Sequence, residues 1–187
     1  MNESGVIDLR PMRGVLITPG LAANEPDRVE VHDKEPGEAT DAWIRRAVGC
    51  DLFDVVVVDS PAGRIDIWVD DEGLLKELEP NMVASLMAAD PERGHMPMLV
   101  GRAFIVPSQA DGETRGFNHE IARVVAHELA SVSESLFSVW QASPQGRLAA
   151  MMLQAAHERE QNEGQALGQE ASEARNRRHH PARGGDR

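Results

Sequence analysis

"LFDVVVVDSPAGRIDIWVDD", residues 52–71, is the stretch whose reading decides the fold. Its first half sets four consecutive valines between two aspartates, and β-branched side chains suit a pleated strand better than a helix. A run that is apolar on both faces reads as a strand covered on both sides, which places it in the centre of a sheet. Ser60-Pro61-Ala62-Gly63 has turn composition. Beyond it Ile65, Ile67 and Val69 alternate with Arg64, Asp66, Trp68 and Asp70. That period of two marks a half-buried strand, so the two halves predict a β-hairpin.

Working outward, "GVLITPG" (14–20) is a short β-rich run closed by Pro19-Gly20, and "DRVEVHD" (27–33) alternates as a half-exposed strand. Trp43, Ile44 and Val48 recur at helical spacing after the cap residue Thr40, and Gly49 follows in the usual stop position. "EPNMVASLMAAD" (79–90) predicts a short helix capped by Asn81, with Val83, Leu86 and Met87 on one face. "MLVGRAFIVPS" (98–108) predicts a strand in which Gly101 marks a bulge or a close backbone approach. From Phe117 the period becomes helical. Ile121, Val124, Val125, Leu129, Val132, Leu136, Val139 and Trp140 recur on a helix capped by Asn118 and running to about Gln141. A second helical stretch starts near Arg147.

Strands and helices do not alternate strictly. The fold class is therefore α+β: a small mixed or antiparallel sheet with flanking helices, then a helical C-terminal extension and a disordered tail. The expected divisions are a flexible leader (1–12), the α+β domain (13–116), the helical extension (117–161) and the tail (162–187). The tail is rich in Gln, Glu, Gly and Arg with almost no apolar residues, a composition that cannot bury a core.

Charge narrows the function. The net charge is −12, and all of it lies in the first 156 residues, which hold 13 basic and 25 acidic side chains. An acidic body repels phosphate backbones and anionic membranes. Aromatic residues are only 4% of the chain and tyrosine is absent, which also speaks against a base-stacking surface. No apolar stretch is long enough to span a membrane, and the start of the chain lacks a signal-peptide core, so a cytoplasmic protein is expected. The one cysteine, Cys50, forms no internal disulfide and reads as a small buried apolar residue.

Few residues suggest chemistry. "FNHEIARVVAHEL" (117–129) repeats His-Glu, but His119 and His127 lie eight residues apart. Eight helical steps separate two side chains by about 80° and about 12 Å, so one metal cannot hold both. The partners a zinc helix needs four residues on are Arg123 and Ser131. No phosphate loop, dinucleotide fingerprint or nucleophile elbow is present, and no catalytic residue, metal ligand or cofactor is assigned. The candidate binding residues on the second hairpin strand are Trp68 and Asp70, with Trp68 set between two acids on one strand face. The candidate interface residues are Val125, Leu129, Val132, Leu136 and Trp140, along a helical stripe suited to another protein or to self-association through the C-terminal helices.

"ITPG" (17–20), "IWVDDEGLL" (67–75), "LEPNMVAS" (78–85) and "VGRAFIVPSQADGE" (100–113) occur in the order seen in a small domain of unknown function. The chain resembles that family, carried by phages and mobile elements of Gram-positive bacteria, over about residues 14–115. The resemblance implies the fold and a phage-like origin, singles out Glu72 and Asn81 as matching positions, and assigns no catalytic residue. The expectation is a non-enzymatic phage- or plasmid-type accessory protein acting by protein–protein binding, in a sharper form an acidic inhibitor of a host factor. The alternative is a small metal-dependent enzyme or nucleotide-binding domain using Asp66, Asp70, Glu72 and Asn81.

Overall fold

The computed structural model describes residues 12–20, 25–60, 63–90, 92–108 and 114–152. The expected tail (162–187), all but the last residue of the expected leader, and the Pro61-Ala62 turn lie outside them. In chain order the elements are β1 (Arg13–Thr18), β2 (Arg28–Asp33), α1 (Thr40–Val48), β3 (Phe53–Ser60), β4 (Gly63–Asp70), α2 (Met82–Met87), β5 (Ala103–Pro107) and α3 (His119–Ala142). The five strands form one sheet in the order β2-β1-β5-β4-β3, antiparallel at every pairing. The fold is α+β, as the hairpin and helix patterns predict.

The hairpin forms with Phe53 opposite Asp70 and Ser60 opposite Gly63. Its position corrects one expectation: among the described residues β3 is an edge strand, paired with β4 alone. Four valines in a row require cover on both faces, and the cover here is uneven. Val56 and Val58 pack against the core, whereas Val57 is 44% exposed.

Strand alternation divides the core in two. Leu16, Phe104 and Val106 face α1, where Trp43, Ile44, Ala47 and Val48 close over them. Trp43 is fully buried and meets Phe104 edge-on, with ring centroids 4.8 Å apart. The Phe104 ring also fills the space a Cβ would need at Gly14, so β1 requires glycine there. Val15, Ile17, Ile67, Val69 and Ile105 face the other way, onto α2 and α3. Each fully buried side chain of this size contributes about 1.5–3 kcal/mol.

The helix ends follow local chemistry. Gly49 adopts φ 81° and stops α1. Thr40 is the first residue of α1, and the N-cap is Ala39, which makes no side-chain capping bond. Asn118 Oδ1 accepts the Ile121 N–H at 2.8 Å and starts α3. On α2 the buried face is Val83, Ala84 and Ser85, while Leu86 turns outward at 46% exposure, contrary to the expected face. The strand expected from 98 begins only at Ala103, because Gly101 takes φ 72° and breaks the extended run.

The chain divides into two compact units, the first running to Trp140 and the second starting at Gln141. In the second, residues 144–152 are helical, and Ser143 Oγ accepts the Gly146 N–H at 3.0 Å. Met151 and Met152 are exposed. No helix among the described residues is long and apolar enough to cross a membrane.

Candidate functional site

Asp70 ends β4 and is 8% exposed. Its Oδ1 accepts the Glu72 N–H at 2.9 Å, which folds the chain into the turn that follows. Both carboxylate oxygens accept from Lys76 Nζ, at 3.1 and 2.8 Å, and Glu72 Oε2 lies 3.2 Å from the same ammonium. The hydrogen bond to Asp70 is the main reason the Lys76 pKa is raised. The structure thus brings Asp70 and Glu72 together, with their charge directed at the chain's own lysine. Among the described residues no three His, Cys, Asp or Glu side chains converge as metal ligands would.

Asn81 is fully buried and caps α2. Its Oδ1 accepts the Ala84 N–H at 3.0 Å, and Nδ2 donates to the carbonyls of Gly101 at 3.0 Å and Ile17 at 3.3 Å. Its main-chain N–H donates to Leu99 at 2.8 Å, and its carbonyl accepts from Ser85 Oγ at 2.7 Å. Ser85 Oγ in turn accepts the Leu99 N–H at 2.9 Å. One side chain therefore ties β1, α2 and the approach to β5 together, and its hydrogen-bonding capacity is spent inside the fold.

Trp68 lies on the α1 side of β4, opposite Val55 of β3. With Thr40, Asp41, Ile44, Phe53 and Thr114 it lines a cleft of about 480 Å³, within the size range of small-ligand pockets, roughly 300–1,000 Å³. Phe53 meets Trp68 edge-on at 5.1 Å, and the Arg45 guanidinium sits 5.1 Å over the Phe53 ring. Among the described residues the Trp68 indole N–H, like that of Trp43, is buried and meets no acceptor. Of the four predicted binding residues, Asp70, Glu72 and Asn81 have polar partners within the chain, and Trp68 packs against Phe53. Apart from Trp68, the lining side chains escaped sequence reading because they come from α1, β3 and the approach to α3.

A family profile described as a domain of unknown function (DUF3846) matches residues 12–130. This chain belongs to that family. The match begins just before β1 and takes in the whole sheet, α1, α2 and the first half of α3. No curated protein and no solved structure matches the chain.

In this DUF3846 protein α3 is apolar on two sides. Val125, Leu129 and Leu136, three of the five predicted interface residues, pack against the core of their own chain together with Ala126. Val132 and Trp140 are 37% and 43% exposed. Ile121, Val124 and Val139 are exposed as well and lie outside the core cluster. His119, Glu120, His127 and Glu128 all face solvent. Cys50 is buried, and burial pushes its thiol pKa up, which disfavours the thiolate.

A polar cluster that the sequence did not suggest sits between β2 and α1. Arg46 grips Glu38 through Nε at 2.9 Å and Nη2 at 2.8 Å, holding the Glu38 carboxyl down at about 2. Arg46 Nη1 lies 3.3 Å from His32 Nε2, and burial lowers the His32 pKa, helped by the Arg46 charge. The arrangement clamps the β2–α1 connection onto the helix.

Proposed function

We propose that this DUF3846 protein is a non-enzymatic accessory protein, of the kind carried by phages and mobile elements of Gram-positive bacteria, that acts by binding another protein. The observation that carries this reading is the outer line of α3. Ile121, Val124 and Val132, with exposures of 48%, 56% and 37%, stand on the flank of a helix whose adjoining side is already occupied by its own core. Apolar residues aligned on one exposed face are a contact surface of the helix-in-groove type. Of the four residues that an enzymatic reading would use, Asp66, Asp70, Glu72 and Asn81, the last three are engaged within the fold. The acidic body suits a partner with basic residues around that contact, such as a host factor the protein would inhibit.

The test compares the full chain with an Ile121→Glu/Val124→Glu variant in capture from host lysate. Both side chains are exposed, so melting should change little, on the order of 0.5 kcal/mol per site. The variant is expected to lose the captured partner. Equal recovery by both proteins removes the outer face of α3 from the account.

A further inference from the structure

β3 is eight residues long and rich in valine, and no strand among the described residues pairs with its outer side. Residues of an antiparallel strand alternate between exchanging hydrogen bonds with the neighbour and turning their main-chain groups away from it. Two bonds establish which are which. Asp71 N–H donates to the Leu52 carbonyl at 3.2 Å, so the even-numbered residues of β3 are those bonded to β4. Ser108 N–H donates to the Arg64 carbonyl at 2.9 Å, so Arg64, opposite Asp59, turns toward β5. Phe53, Val55, Val57 and Asp59 therefore direct N–H and C=O outward. Among the described residues no main-chain group answers them, and only the Val55 N–H is met, by the Asp54 carboxylate at 2.8 Å.

Edge strands are normally kept short, broken by proline or lysine, or covered. Here no Pro or Lys interrupts the strand, and an aspartate stands at each end of the valines. We propose that the free edge of β3 accepts an extended, basic strand from another protein, lengthening the sheet to six strands. Charge selects this occupant. Asp51, Asp54 and Asp59 are exposed along the edge, and Arg64 is already paired with Asp59 at 3.1 Å. Asp54 and Asp59 stand at the two ends of the valines and on opposite faces of the sheet, so an incoming strand with β-branched residues at its centre and lysine or arginine toward both ends meets valines and carboxylates in register. A second copy of the chain would instead bring two sets of the same acids, and two bodies of net charge −12, against each other. The Phe53–Trp68 cleft opens on the α1 side of the same strand and receives one side chain of the added segment. This surface is distinct from the outer line of α3.

The probe is a labelled peptide with a run of valines between two pairs of lysines, with a glutamate-for-lysine counterpart, titrated against the full chain by fluorescence anisotropy. The lysine peptide binds saturably, more weakly as salt rises, and the glutamate peptide does not bind. Val57→Pro removes an outward N–H and leaves the β3–β4 ladder intact, so the melting temperature holds. Its affinity for the lysine peptide falls about tenfold, the loss of one main-chain hydrogen bond. Should Val57→Pro fail to fold, Val57→Lys carries the same test, because that side chain is 44% exposed and the added charge repels the peptide. No binding of the lysine peptide, equal binding of both peptides, or unchanged affinity in the folded variant overturns the proposal. So does a wild-type dimer in light scattering that Val57→Pro turns into a monomer, which would make the occupant a second copy.

Discussion

Asn81→Asp separates a structural asparagine from a ligand-binding one. The substitution keeps an oxygen for the Ala84 N–H, so the cap on α2 survives. It replaces the amide that donates to Ile17 and Gly101 with an oxygen facing both carbonyls. Each buried carbonyl left without a donor costs about 1–3 kcal/mol, and a buried carboxylate with no cation beside it adds to that. The expected loss is about 3 kcal/mol or more, against a total stability on the order of 5–15 kcal/mol for a domain. Asn81→Ser, which keeps a cap acceptor and introduces no charge, should lose less, about 2 kcal/mol. The assay is urea unfolding followed by tryptophan fluorescence, with a lower midpoint and an unchanged slope. pH gives a second check. Burial raises the folded pKa of the new carboxyl above its unfolded value of about 3.9, and its protonated form donates to one of the two carbonyls. Its contribution is present below the unfolded pKa and lost as pH rises through the folded one, so the deficit of the variant shrinks toward acid. An Asn81→Asp protein as stable as wild type at neutral pH, or a deficit that grows on acidification, refutes the assignment of Asn81 to the frame.

Two further outcomes follow from paired charges. Lys76→Met leaves the buried Asp70 carboxylate without its cation, so it should lower the melting temperature more than the Asp70→Asn/Lys76→Met double variant does, a non-additivity that thermal melts of the three proteins would reveal. Glu38 is held at about 2 by Arg46, against an ordinary value of 4.5, so its stabilisation is present above 4.5 and lost as pH falls through about 2; Glu38→Gln should flatten the acid limb of the stability profile in that window, and an unchanged limb would show that the Arg46 clamp does not contribute.

What the sequence made legible is what local chemistry decides. Asn81 and Asn118 cap helices because a short side-chain oxygen before an apolar run has that use almost anywhere. Gly49 ends α1 because the left-handed turn asks little more than a missing Cβ. The hairpin was legible because a turn of four residues links two β-rich runs. The place of β3 in the sheet was not, since the strand order depends on where β5 inserts, between β1 and β4, some forty residues later. A signal for the edge did exist in Asp54 and Asp59, charges that a strand covered on both faces rarely carries. Four valines between them outweighed it.

The candidate site divides along the same line. Trp68 and Asp70 stood out on one strand face, and Glu72 and Asn81 as matches to the family pattern, but the sheet gives the four different tasks. The pairing of Glu72 with Lys76, four residues apart, was open to reading, whereas the donation from Asn81 to Ile17 crosses 64 residues of chain. The stripe on α3 shows the limit most plainly. At 100° per residue, Ile121, Val132 and Val139 lie within about 20° of one another, and Ala122, Leu129 and Ser133 lie about 100° further round. Seen from sequence these merge into one broad apolar band. Only packing against the sheet divides the band, burying Ala122 and Ser133 and leaving Ile121 and Val139 outside. An interface on this helix must therefore be argued from the residues its own core rejects, since those that best match the apolar period are the first the sheet consumes.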